Sequence, residues 1–171
     1  MAIPIYVAAV NKYMIRAAAT SDGLVGHPIF SRKYIAESVL PELEGHDCEL
    51  APYVITSGSD DPDQARREAK AQIAFYYSTR LYHTVLDAHG WRPIGEEIAA
   101  AFRKRDFAKM VALVTDEMLA SMAAAGRPDE VRDRLKQWEE LSNHLLVYPA
   151  SAGASPDRLR ENAAAIVEAV G

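Results

Sequence analysis

The chain has 171 residues, 49% of them apolar and 25% charged, with a net charge of −5. That is enough for one domain with a real core, and an acidic balance without a basic cluster excludes nucleic acid or an anionic membrane as the expected partner. Its single cysteine, Cys48, cannot form an internal disulfide, and the apolar run at its start is too short to span a bilayer and has no basic segment before it, so it reads as a soluble cytoplasmic protein.

The first run, Ile3 to Val10, is short, uncharged and partly β-branched, which predicts a strand buried on both faces. Asn11 and Lys12 break it. Tyr13 to Thr20 repeat apolar residues at helical spacing, and Ser21-Asp22-Gly23 turn into a second apolar run through Gly26, His27 and Pro28. Strand, tight turn, helix, turn and strand make a βαβ unit with parallel strands and a right-handed connection. Ala8 and Ala9 allow a close approach at the strand's carboxyl end, and Asn11 is a residue type that tolerates positive φ. That geometry suits a phosphate, and the same spacing equally describes a tight turn with no ligand.

Ser31 predicts a helix cap, with Tyr34, Ile35, Ser38, Val39 and Leu43 facing inward and an end near Gly45. Cys48 to Thr56 is a third strand, expected to be irregular in its first half because Pro52 lacks a donor. Asp60 or Asp61 caps the next helix with Pro62 at its first position, apolar at Ala65, Ala69, Ile73 and Tyr76. An aromatic segment follows, then helices over Glu96–Arg105 and Phe107–Ala125, the latter stopped by Gly126. Fifty residues without a strand exceed a bare crossover, so 75–126 is expected to be a helical insertion. Pro128-Asp129-Glu130 begin a further helix, His144–Tyr148 form the fourth strand, and Ser155-Pro156-Asp157 start the last helix, with Leu159, Ala163, Ile166, Val167 and Val170 on its inner face. The pattern is βα four times, with helices inserted between the third and fourth strands.

Several segments carry a family resemblance in the right order. These are Pro4 to Ala9, Met14-Ile15-Arg16, Ser21 to Pro28, Asp61 to Arg66, Thr115 to Leu119, and Gly126 to Val131. The chain resembles the C-terminal half of a luciferase-like monooxygenase, in the branch that includes oxidoreductases dependent on the deazaflavin coenzyme F-420. The resemblance implies an α/β fold, half of a (β/α)8 TIM-type barrel in one domain over 1–171, with coenzyme F-420 or FMN at the carboxyl ends of the strands. It implies cofactor binding by Ala9, Val10, Asn11 and Lys12, where the family loop often reads Gly-Pro, and by Gly26 and His27. Arg127 stands where the family usually has a small hydroxyl cap. Nothing corresponds to the family's first four strands, and no catalytic residue is assigned.

Half a barrel has two apolar outer strands, Ile5–Val10 and Leu145–Tyr148, that soluble proteins avoid leaving bare. Roughly four to six unpaired groups per edge, at about 1 kcal/mol or more each if buried, would consume much of a domain's margin. Pairing with a second copy is the preferred repair. A complementing N-terminal half, or the insertion folded over the sheet, would also serve.

Among single residues, His27 is either a ligand contact or a histidine hydrogen-bonded in its loop. Tyr76 and Tyr77, with Phe75 and Tyr82, either wall a substrate pocket or belong to the core, and Tyr148 ends a strand where it can face the cofactor. His83 and His89 fall on different helix faces and form no metal pair, and Cys48 reads as structural. The expected function is a flavin- or deazaflavin-dependent oxidoreductase acting on a small molecule by monooxygenation or hydride transfer, its site completed by a second chain or segment. The alternatives are a non-catalytic flavin-binding or scaffolding half-barrel and, with less support, a helical interaction module over 75–141.

Overall fold

The computed structural model describes residues 3–171; Met1 and Ala2, inside the expected domain, lie outside the described residues. Five parallel strands form one sheet: β1 (Tyr6–Ala9), β2 (Gly23–Gly26), β3 (Glu49–Gly58), β4 (Ala123–Gly126) and β5 (Leu146–Pro149). The helices are α1 (Lys12–Ala18), α2 (Arg32–Tyr34), α3 (Leu40–Leu43), α4 (Pro62–Tyr77), α5 (His83–Asp87), α6 (Arg92–Arg103), α7 (Phe107–Leu113), α8 (Asp116–Met122), α9 (Pro128–Glu139) and α10 (Pro156–Val170). A π turn, Ile35–Val39, joins α2 to α3. Pro41 lies just beyond it, without an N–H and with its ring crowding the carbonyl four residues back, which favours a widened turn there.

Ten-residue β3 organises the sheet. The Leu50 carbonyl accepts from the N–H groups of Asn143 and His144, just before β5, while Leu24 of β2 is the register partner of Leu50 on the opposite edge. Ile55 and Thr56 likewise pair with β4 on one edge and β5 on the other. Strands β2 and β4 therefore follow one another along one edge of β3, and β5 occupies the other.

The four predicted strands are β1, β2, β3 and β5, parallel as expected and interleaved with helices. The sheet is open: among the described residues β1 pairs only with β2, and β5 only with β3. Three expectations are corrected. Strand β3 is continuous through Pro52, because alternation puts the missing donor on the β5 edge, one residue before that register starts at Tyr53. The predicted helix over Phe107–Ala125 is α7, α8 and then β4, so the insertion ends in a strand. Thr115 caps α8, and tertiary fit overrides alanine's helix preference where only Ala123, Ala124 and Ala125, all buried, fit beside β3. Strand β1 is not buried on both faces: Ile3 and Ile5 are exposed, and so is Ala8.

Alternation gives the sheet two faces. Leu24, Leu50 and Val54 lie fully buried on the face covered by α1, α9 and α10. Tyr6, Ala8, Val25, Ala51, Tyr53 and Tyr148 lie on the other. At the amino ends of the strands Tyr6 crosses over Gly23 to bond Glu49, which also bonds His144 3.1 Å away. A Cβ on Gly23 would fall 2.3 Å from the Tyr6 ring. Gly23→Ala should therefore swing Tyr6 aside and lower Tm by about 2–4 °C in a thermal melt, with an NMR shift change at the Tyr6 ring.

Candidate functional site

At its start β3 runs beside β2, then overruns it: Gly26 is level with Pro52, and β3 continues six residues further, to Gly58, or about 20 Å. Asp61 caps α4 by accepting from the N–H groups of Asp63 and Gln64, and Pro62 takes its first position, so the helix starts beyond the far end of β3. Running back for 16 residues, about 24 Å, its last turn arrives over the carboxyl end of β2. Tyr76 is thus brought to His27. Their ring centroids are 4.9 Å apart at 77°, and Tyr82 lies 4.6 Å from His27 and 6.2 Å from Tyr76, so the three rings pack together. Tyr148 joins the cluster, 6.4 Å from Tyr76 and 5.8 Å from Tyr53.

Burial lowers the His27 pKa to about 4, so the ring is neutral at pH 7. Its Nδ1 accepts from the Ile29 N–H at 3.3 Å, which puts the proton of the neutral ring on Nε2. The Tyr76 hydroxyl is pushed well above the ordinary tyrosine range, first by burial and then by the neighbouring Tyr148 hydroxyl. At neutral pH His27 and Tyr76 therefore present uncharged rings to this aromatic wall.

A cleft of about 330 Å³ opens beside it, lined by Ala8, Ala9, Val10, Asn11, Met14, Val25, Gly26, His27, Pro28 and Tyr53. Five of the six residues expected to bind cofactor therefore share one cleft. Lys12 does not line it: its ammonium pairs with Glu42 at 3.0 Å, beside Arg16 on the same carboxylate. Asn11 does not adopt positive φ. It is extended (φ −93°, ψ 159°), and its side chain caps α1 by accepting from the Met14 N–H, a role that its residue type fits equally well. Gly26 is required by packing, since a Cβ there would meet the Phe30 ring at 2.8 Å and Pro52 Cα at 3.1 Å.

Tyr77 leaves the expected substrate wall. It is fully buried and its hydroxyl donates to the Ile29 carbonyl at 3.1 Å, because one helical step from Tyr76 turns it into the core. His83 is buried against the Tyr77 carbonyl at 2.9 Å, and His89 stacks on Trp91 and bonds Ser31. The Cys48 thiol is pushed up by burial and by Asp22, Asp47 and Glu49. Tyr53 and Gln72 went unassigned in the sequence; alternation two residues beyond Ala51 was the signal for Tyr53. A larger cavity, about 540 Å³, lies between α4, α6, α7 and the segment after β5, with Tyr148 in its wall. No helix among the described residues is long and apolar enough to cross a membrane.

Comparison with known proteins gives a consistent result. A family model for luciferase-like monooxygenases matches residues 1–144. An uncharacterized protein of Mycobacterium tuberculosis is 31% identical over 148 residues, covering 77% of this chain and 43% of that protein. The 5,10-methylenetetrahydromethanopterin reductase of Archaeoglobus fulgidus is 29% identical over 169 residues, covering 91% of this chain and 50% of the reductase. The solved coenzyme F-420-dependent tetrahydromethanopterin reductase from Methanopyrus kandleri matches with a TM-score of 0.72 at 26% identity, over 98% of this chain and 49% of that one. The chain spans about half the length of these relatives.

Proposed function

Because this chain belongs to the luciferase-like monooxygenase family, we propose that it supplies one wall of an oxidoreductase site that takes coenzyme F-420, with FMN as the competing cofactor. The observation that carries this reading is the convergence of His27, Tyr76 and Tyr82 beside the cleft at the carboxyl ends of β1 and β2. The donor set fits a flat heterocycle: the lining side chains are apolar apart from Asn11, Tyr53 and a neutral His27, and no lysine or arginine is among its described lining residues. A phosphate would be met by the Ala9–Asn11 turn, with Lys12 the cation next to it in the chain.

Such a cofactor, when bound, supplies hydride transfer, or oxygen insertion in the case of a flavin. This chain's residues then bind and orient it: Ala8, Ala9 and Gly26 let it approach, His27 offers an Nε2–H donor, and Tyr53 and Tyr148 exclude water from one side. Among the described residues, strands β1 and β5 each keep a free edge toward which a second copy, or a separate N-terminal half, would close the site. That closure is tested by molar mass in solution, where a stable monomer contradicts self-pairing.

Titrating the purified chain with coenzyme F-420 and with FMN, read by fluorescence, tests the cofactor. Saturable deazaflavin binding that His27→Ala weakens roughly tenfold, the loss of about one good contact, is expected. Failure of both cofactors to bind overturns the reading. Binding without turnover on adding reduced cofactor and an electron acceptor favours the non-catalytic alternative.

A further inference from the structure

Two rings in contact link the 540 Å³ cavity to the cofactor cleft: Tyr53 lines the cleft, Tyr148 lines the cavity, and their centroids are 5.8 Å apart. The cavity walls are mainly apolar, with Phe75, Phe102, Phe107, Met110 and Val111 lining it together with Tyr148, and none of its lining side chains is charged. The volume is that of a small-molecule site.

One polar device is built into this wall. Gln72 is buried in α4, and its side-chain oxygen accepts from the N–H groups of Ser151 and Ala152, each at 2.9 Å. Tyr148 stands in the same wall, its ring centroid 6.4 Å from that of Tyr76, and its O–H is the phenol donor which that wall presents to the cavity.

We propose that this cavity binds an uncharged, mainly apolar molecule bearing one hydrogen-bond-accepting oxygen, such as a ketone, held by the Tyr148 hydroxyl. Calling that molecule the reactant of the oxidoreductase site rests on the function proposed above; the binding itself does not. A carboxylate of the same shape is rejected, because the cavity offers no cation to offset its desolvation. A hydrocarbon of the same shape fits but forgoes the Tyr148 bond.

Three probes with one ring system separate these cases: 2-acetylnaphthalene, 2-naphthoate and 2-ethylnaphthalene, each titrated into the purified chain carrying 13C-methyl methionine. Saturable movement of the Met110 methyl signal with the ketone, and none with the carboxylate, is expected. Tyr148→Phe should weaken the ketone about 3–10-fold, the worth of one hydrogen bond, and leave the hydrocarbon unchanged. Val111→Trp, which fills the cavity, should abolish both. Equal binding of ketone and carboxylate, or a Tyr148→Phe effect that is the same for ketone and hydrocarbon, overturns the proposal. So does a Met110 signal that never moves. Coenzyme F-420 titrated into the same samples keeps the two readings apart. Ketone binding without cofactor binding overturns only the oxidoreductase reading, and the reverse overturns only this cavity's role.

Discussion

Replacing Asn162 with leucine is expected to cost about 3 kcal/mol of stability, although the substitution puts an apolar residue of similar size on an apolar helix face. Asn162 is buried in the middle of α10, beneath the carboxyl ends of β3 and β5. Its Oδ1 accepts from the Gly58 N–H at 2.8 Å, and its Nδ2 faces the carbonyls of Thr56 and Ala150, each at 3.4 Å. The Thr56 carbonyl already accepts from the Ala150 N–H, so the larger loss is Gly58, whose N–H has no second acceptor when the side-chain amide goes. No water replaces it easily, because Ala165 already sits where a Cβ on Gly58 would be, 2.8 Å away. The measurement is a urea unfolding series on the native chain, Asn162→Leu and Asn162→Ala, with hydrogen exchange at Gly58. A leucine variant as stable as the native chain would mean the amide is merely tolerated there. Because Tyr148 stands two residues before Ala150, the variant should also weaken ketone binding in the larger cavity.

The same residue explains where sequence reading stopped. An apolar-period rule places Leu159, Ala163, Ile166, Val167 and Val170 inward, yet the buried positions are Asn162, Ile166 and Ala169, while Val167 and Val170 are exposed. The helix is turned by the backbone groups it must satisfy, a demand invisible until β3 and β5 end side by side. Caps were legible because they are local: Ser31, Asp61 and Ser155 each accept from a backbone N–H two or three residues ahead. Strand β4 was not, since Ala123-Ala124-Ala125 is intrinsically helical and becomes a strand only against Ile55 to Ser57 of β3. In the site, His27 was readable as the residue that ends a strand at a barrel's working face. Its meeting with Tyr76 was not, because it depends on how far β3 overruns β2 and how many turns α4 takes to return. Lys12 could be placed on the turn but not aimed, since Glu42, which takes its charge, comes 30 positions later in the chain.

His27 should make the protein lose stability between neutral pH and pH 5, before most carboxylates titrate. In the unfolded chain a histidine titrates near 6.5; in the fold, burial lowers His27 to about 4. The folded state thus holds the ring neutral where the unfolded state takes up a proton, and unfolding gains protons as the pH falls. The contribution is fully present above pH 6.5 and is lost progressively as the pH drops toward 4. A shift of that size corresponds to an upper bound of about 3 kcal/mol, and the ring's half-buried position reduces it to about 1–2 kcal/mol. Its ring neighbour Tyr76, pushed up by burial, does not titrate in this window. Glu42, Glu68 and Asp116 are held below the usual carboxylate range, so their losses come at lower pH; in Glu68, burial pushes the other way but is outweighed by Arg158 and Ser57. His89, also lowered by burial, adds a slope of the same sign, so the comparison must be with His27→Asn, whose Oδ1 can still accept from the Ile29 N–H. Urea midpoints at pH 7.5 and 5.0 should fall further apart in the native chain than in that variant, and the His27 Cε1–H resonance should titrate near pH 4. A midpoint near 6.5 would place the imidazole in solvent, and with it would go the uncharged Nε2–H donor that the cofactor cleft depends on.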